Sequence, residues 1–152
     1  MLFRSGTGYA NFTFQVQDDG GTANGGQNLS ASKTMTINVT AVNDAPSVSD
    51  SITDTHSEGY ESHTVDLLSF ASDVDSGETA TLSIQGVTYS VDGGASSATV
   101  PAGLSILGST LTVDTTSSAF DSLNVNQHRT IVVSYKVTDA QGATVKIGRA
   151  HV

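Results

Sequence analysis

Two stretches of this chain superpose without a gap. "FTFQVQDDGG" (12–21) and "VSYKVTDAQG" (133–142) place Phe12 on Val133, Phe14 on Tyr135, Val16 on Val137 and Asp18 on Asp139. Both alternate apolar and polar residues, which is the signature of a half-buried strand, and both end in an acid followed by a turn. A pattern of period two recurring at an offset of about 121 residues suits a tandem array of strand-built domains. It does not suit a solenoid of small units.

The rest of the chain agrees with strands. Met35, Ile37 and Val39 alternate with Thr36 and Asn38, so residues 9–40 read as a hairpin joined by the long loop "DDGGTANGGQNLSAS". Short strands follow around Val65 and Leu67, around Leu82 and Ile84, over Val87–Val91, around Leu104 and Ile106, and around Leu111 and Val113. Ile131, Val133, Tyr135 and Val137 give the clearest alternation. "SSAFDSLNV" (117–125) is expected to form one helical turn. Ser and Thr number 41 of the 152 residues and Gly another 15, a composition of strands and turns. Many short strands without a convincing helix predict an all-β protein, a Greek-key sandwich of immunoglobulin type preceded by a hairpin.

"AVNDAP" (41–46) separates the two parts. Asn and Asp favour turns and Pro resists continuing a strand. The expected organisation is a hairpin unit over residues 6–42, the tail of a truncated repeat, and a sandwich over residues 43–146. "LFRS" (2–5) and "IGRAHV" (147–152) match reading frames of short sequencing adapters. Residues 1–5 and 147–152 are therefore set aside as expected artefacts. The second repeat is then expected to lack its own last strand. The isolated hairpin would leave an edge unpaired and Phe12, Phe14, Met35 and Ile37 uncovered.

Charge narrows the function. Fifteen acids face six bases, for a net charge of −9. That excess disfavours nucleic acid and anionic membrane surfaces and suits a cationic partner. Cysteine is absent, so no disulfide staples the domain, and a bound metal is a common substitute. No apolar run reaches the ~18 residues of a membrane span.

The acids are not scattered evenly. Asn43 and Asp44 lie in the hinge, Asp73 and Asp75 in "ASDVDSGE", and Asp139 at the end of its strand in "VTDAQG". In a sandwich these loops can gather at one end, where unscreened carboxylates would repel one another. Calcium, with 6–8 oxygen ligands, fits that donor set; magnesium fits it less well, and zinc or copper would want His or Cys. The bland alternative is a set of solvated loop acids and an ordinary Asn-Asp turn.

Those three segments, "VNDAP", "ASDVDSG" and "VTDAQG", resemble the linker, the Asp-x-Asp and the Asp-x-x-Gly calcium elements of cadherin-type domains. Residues 9–146 as a whole resemble the bacterial cadherin-like and VCBS-type repeats of large adhesins exported by type I (RTX-type) secretion. The resemblance implies calcium (Ca2+) on Asn43, Asp44, Asp73, Asp75 and Asp139. It assigns Glu58 and, more loosely, Asp121 to the opposite end of the domain, and Asp18 to a site upstream of the first repeat. The first Asp and last Asn of the cadherin linker "DxNDN" are missing, which implies a weaker site. Implied as well are neighbouring repeats of the same chain as partners, a surface glycan or protein as ligand, and an extracellular or cell-surface location.

Other chemistries find little support. "DVDSGE" starts like an EF-hand loop, but Gly77 stands at the third ligand position and the closing Glu is missing. "HSEGYESH" (56–63) holds two His and two Glu without metal-ligand spacing. No Gly-x-Ser-x-Gly is present, and "GGTANGG" precedes no helix that could cradle phosphate. Aromatics are only 6% of the chain, too few to line a sugar-cleaving cleft. The expected role is non-enzymatic: a calcium-stiffened spacer or adhesion repeat. The alternatives are a carbohydrate- or protein-binding module on the Gly-rich loops and an accessory domain of a secreted hydrolase.

Overall fold

The computed structural model describes residues 6–151, with side chains for residues 9–146. Contacts divide the chain into two compact units, Met1–Val42 and Asn43–Val152. The fold is all-β; among the described residues the only helical pieces are two short 3₁₀ turns, and no helix is long and apolar enough to cross a membrane.

The first unit is an antiparallel hairpin of β1 (Gly6–Phe14) and β2 (Lys33–Val39). Phe12 faces Met35 across the ladder, and Ala10 faces Ile37. The repeated segment was expected to carry the strand through Val16; β1 instead stops at Phe14, and Gln17 makes only an isolated bridge to Leu29. Asp18 Oδ1 accepts a hydrogen bond from Gly20 N, which turns the chain away from the ladder. Phe12, Phe14, Met35 and Ile37 are 41–50% exposed.

The second unit is a sandwich of two three-stranded antiparallel sheets. One sheet orders β10 (Thr144–His151), β9 (Ile131–Thr138) and β6 (Ser83–Val91), with β9 in the centre. The other orders β4 (His63–Asp66), β8 (Thr110–Val113) and β7 (Leu104–Leu107), with β8 in the centre. A small ladder of β3 (Ser47–Val48) and β5 (Ala71–Ser72) flanks them.

The core sits between the central strands. Val133, Tyr135 and Val137 of β9 meet Leu111 and Val113 of β8 in one cluster with Val65, Leu67, Tyr89 and Phe120. Leu111, Val133 and Val137 are 0% exposed. Each such aliphatic side chain contributes roughly 1.5–3 kcal/mol relative to exposure. Tyr135 adds a polar clamp between the layers, its hydroxyl donating to Leu67 O at 2.7 Å.

Two local expectations are corrected. The segments around Leu82 and Ile84 and over 87–91 were read as two strands; a single strand, β6, runs from Ser83 to Val91, preceded by a 3₁₀ turn at Glu78–Thr81. Between the pairs Gln85↔Lys136 and Thr88↔Ser134, Gly86 and Val87 stand opposite Tyr135 alone, a β-bulge that Gly86 permits at φ +62°. Its break in the alternation is what made one strand look like two. Residues 117–125 form successive turns rather than a helical turn, with Phe120 N donating to Ser117 O and Leu123 N to Phe120 O, both at 3.0 Å. The backbone of β10 runs through residues 147–151, paired to β9 as far as His151↔Val132. Residues 1–5 and 152 lie outside the described residues.

One close approach shapes an end of the core. Gly103 has φ +86°, and a Cβ built there would stand 2.6 Å from Phe120 Cε2. Only glycine leaves room for that ring.

Candidate metal centre

The strand β9 delivers Asp139 to one end of the sandwich. One face of β9, Ile131, Val133, Tyr135 and Val137, is buried throughout, and burial continues through Thr138 to Asp139, which is only 4% exposed. A buried carboxylate needs donors. Asp139 Oδ1 takes one from Ala143 N at 2.8 Å, across the turn that closes β9 onto β10, and Oδ2 takes one from Asn43 Nδ2 at 2.9 Å. These bonds, Asn43 first and the backbone of the turn after it, outweigh burial and hold the Asp139 carboxyl below the usual aspartate range.

The loop after β5 brings the next acids. Asp73 Oδ1 accepts from Asp75 N at 2.8 Å, the short-range turn that Asp-x-Asp spacing favours. Thr79 Oγ1 accepts from Asp73 N at 2.9 Å and ties the loop to the 3₁₀ turn behind it. Asp75 Oδ2 in turn accepts from Asp44 N at 2.9 Å. Asn43 and Asp44, the first residues of the second unit, are thus bound by one hydrogen bond each to Asp139 and Asp75.

Asn43, Asp44, Asp73, Asp75 and Asp139 therefore meet at one pole. They do not all offer oxygen to one point. Carboxylate oxygens of Asp73, Glu78 and Asp139 lie within 4.8 Å of one another. Glu78 was not among the residues expected there. It starts the 3₁₀ turn after Gly77, whose left-handed φ of +89° reverses the loop and returns Glu78 to the cluster. Its place in "DVDSGE", one residue after that glycine, was the available signal.

The electrostatics of the pole are strained. Burial, followed by repulsion from Asp73, Asp75 and Asp139, pushes the Glu78 carboxyl above its ordinary range, against one hydrogen bond from Gln141. Asp73 Oδ2 and Glu78 Oε2 are shielded from solvent and accept no hydrogen bond. Two orphaned carboxylate oxygens beside a third acid are a donor set without a positive partner, and hard oxygens of this kind match calcium better than zinc or copper.

The remaining expected residues lie elsewhere. Asp18 is exposed in the first unit and belongs to no group of three acids or histidines within metal-binding distance among the described residues. Glu58 and Asp121 are exposed, and neither joins such a group. Near Glu58 the structure gathers a different set, Asp54, His56 and His63.

A scan against family models finds no match to this chain, and searches of curated proteins and of solved structures find none either.

Proposed function

We propose that the chain is a non-enzymatic spacer or adhesion repeat of a bacterial cell-surface or secreted adhesin, stiffened by calcium at the pole formed by Asp73, Glu78 and Asp139. The observation that carries this reading is the pair of shielded carboxylate oxygens, on Asp73 and Glu78, that have no hydrogen-bond donor within a three-acid cluster. Burial raises the Glu78 carboxyl first and repulsion from the neighbouring acids adds to it; a divalent cation neutralises that repulsion. Asp73, Glu78 and Asp139 would hold it, with Asp75 and the hinge residues Asn43 and Asp44 close by.

The mechanical consequence follows from connectivity. Asn43 and Asp44 open the second unit and are already tied to Asp139 and Asp75. An ion that fixes those acids fixes the point at which a preceding repeat is covalently attached. Extracellular modules with such sites bind calcium with dissociation constants of roughly 10⁻⁴–10⁻³ M, so stiffness would track external calcium.

A calcium titration followed by thermal unfolding tests the reading. Millimolar calcium is expected to raise the melting temperature, and Asp73→Ala with Asp75→Ala to abolish the rise. An unchanged melting temperature at millimolar calcium would overturn calcium dependence.

A further inference from the structure

We infer that Asp54, His56 and His63 form a second, chemically distinct metal site, one for zinc. It lies at the other pole of the sandwich from Asp139. Asp54 and His56 line a cavity with Ile131, the first residue of β9, whereas Asp139 follows its last. At ~3.3 Å per residue, β9 separates the two poles by more than 20 Å.

The geometry converges on one point. His56 Nε2 lies 2.7 Å from Asp54 Oδ1, and His63 Nε2 lies 3.3 Å from Asp54 Oδ2. The two imidazole rings lie side by side, centroids 3.9 Å apart and planes tilted by 33°, and both Nε2 atoms approach the same carboxylate. Tetrahedral zinc with ligand bonds of about 2.0–2.1 Å separates its donors by about 3.3 Å. The three donors lie within 4.8 Å of one another, so an ion needs only small side-chain adjustments.

Asp54 supplies an independent sign. Its Oδ2 is shielded from solvent and accepts no properly aligned hydrogen bond, although His63 Nε2 is near. Two imidazole nitrogens and one carboxylate are borderline donors, suited to zinc and unsuited to the all-oxygen shell of calcium. Three protein ligands leave a fourth position open. Glu61, which lines the same shallow cleft as His56 and His63, or a water fills it.

The ion would act as a staple. Residues 49–62 connect β3 to β4 without regular strand structure, and His63 is the first residue of β4. Joining Asp54 and His56 to His63 through zinc anchors that connection to the sheet in a chain with no disulfide.

Zinc competed from a chromophoric chelator into the metal-free chain is expected to bind at one equivalent. His56→Ala and His63→Ala should each weaken binding at least ~10-fold, while Asp73→Asn should leave it unchanged. On the parent protein, which needs no substitution to fold, one equivalent of zinc should shift the imidazole resonances of His56 and His63 but not of His128. No stoichiometric binding, or binding that leaves both ring signals unmoved, would overturn the site and reduce the cluster to an Asp–His ion pair. Insensitivity to both His substitutions would overturn it equally. None of these outcomes bears on calcium at the other pole.

Discussion

The segments 12–18 and 133–139 share a pattern and not an environment. Val133, Tyr135 and Val137 are 0–5% exposed, whereas Phe12, Phe14 and Val16 are 45–64% exposed. Asp139 is buried and held by Asn43 and the turn backbone; Asp18 is exposed and bonds Gly20. Alternation gives a strand in both places, but β1 stops at Phe14 whereas β9 runs to Thr138, beside Asp139. Burial requires a second sheet, and β9 has one, in the face built around β8. The same acid becomes a candidate ligand in one setting and a turn residue in the other because neighbours supply the rest of the site.

The largest test of this contrast is in the core. Val133→Ala removes packing from a fully buried position and should cost about 2 kcal/mol or more in urea unfolding of the sandwich. Phe12→Ala removes a larger side chain yet should leave that transition nearly unmoved. Equal losses would show that the hairpin face is covered in solution and erase the contrast. Next in size, Asp139→Ala should remove the calcium-dependent rise in melting temperature, and Asp18→Ala should preserve it.

Tyr135→Phe deletes the hydroxyl that donates to Leu67 O and should cost about 1 kcal/mol, against no measurable change for Tyr9→Phe on the exposed hairpin. The smallest effect is electrostatic. Burial and then repulsion raise the Glu78 carboxyl, so its destabilising cost is present in full above that raised value and vanishes as pH falls below the ordinary value of 4.5. Asp139 runs the other way. Its stabilisation is full above the ordinary value of 3.8 and is lost as pH falls through its lowered folded value. Without metal, Glu78→Gln should raise the melting temperature at pH 7, with the advantage shrinking toward pH 4.5. With calcium present, the same substitution should lower it.

Much of the fold was legible because it rests on short-range pattern. The alternation of Ile131–Val137 and the turn residues around Gly108 mark strands that the structure contains. The bulge at Gly86 was hidden because a single extra residue mimics a strand break. The meeting of Asn43, Asp44, Asp73, Asp75 and Asp139 at one end followed from where sandwich loops gather. What spacing only hinted at was the reversal at Gly77 that turns Glu78 inward, and what it did not reveal at all was the approach of Asp54 to two histidines. Both depend on loop geometry, and Asp54 stands outside the "HSEGYESH" segment that drew attention to His56 and His63.

The Gly103–Phe120 contact bears on kinship. A side chain at 103 would collide with the ring, and the positive φ would strain any other residue. Distant homologues that have drifted everywhere on the surface should still pair a glycine here with a downstream aromatic.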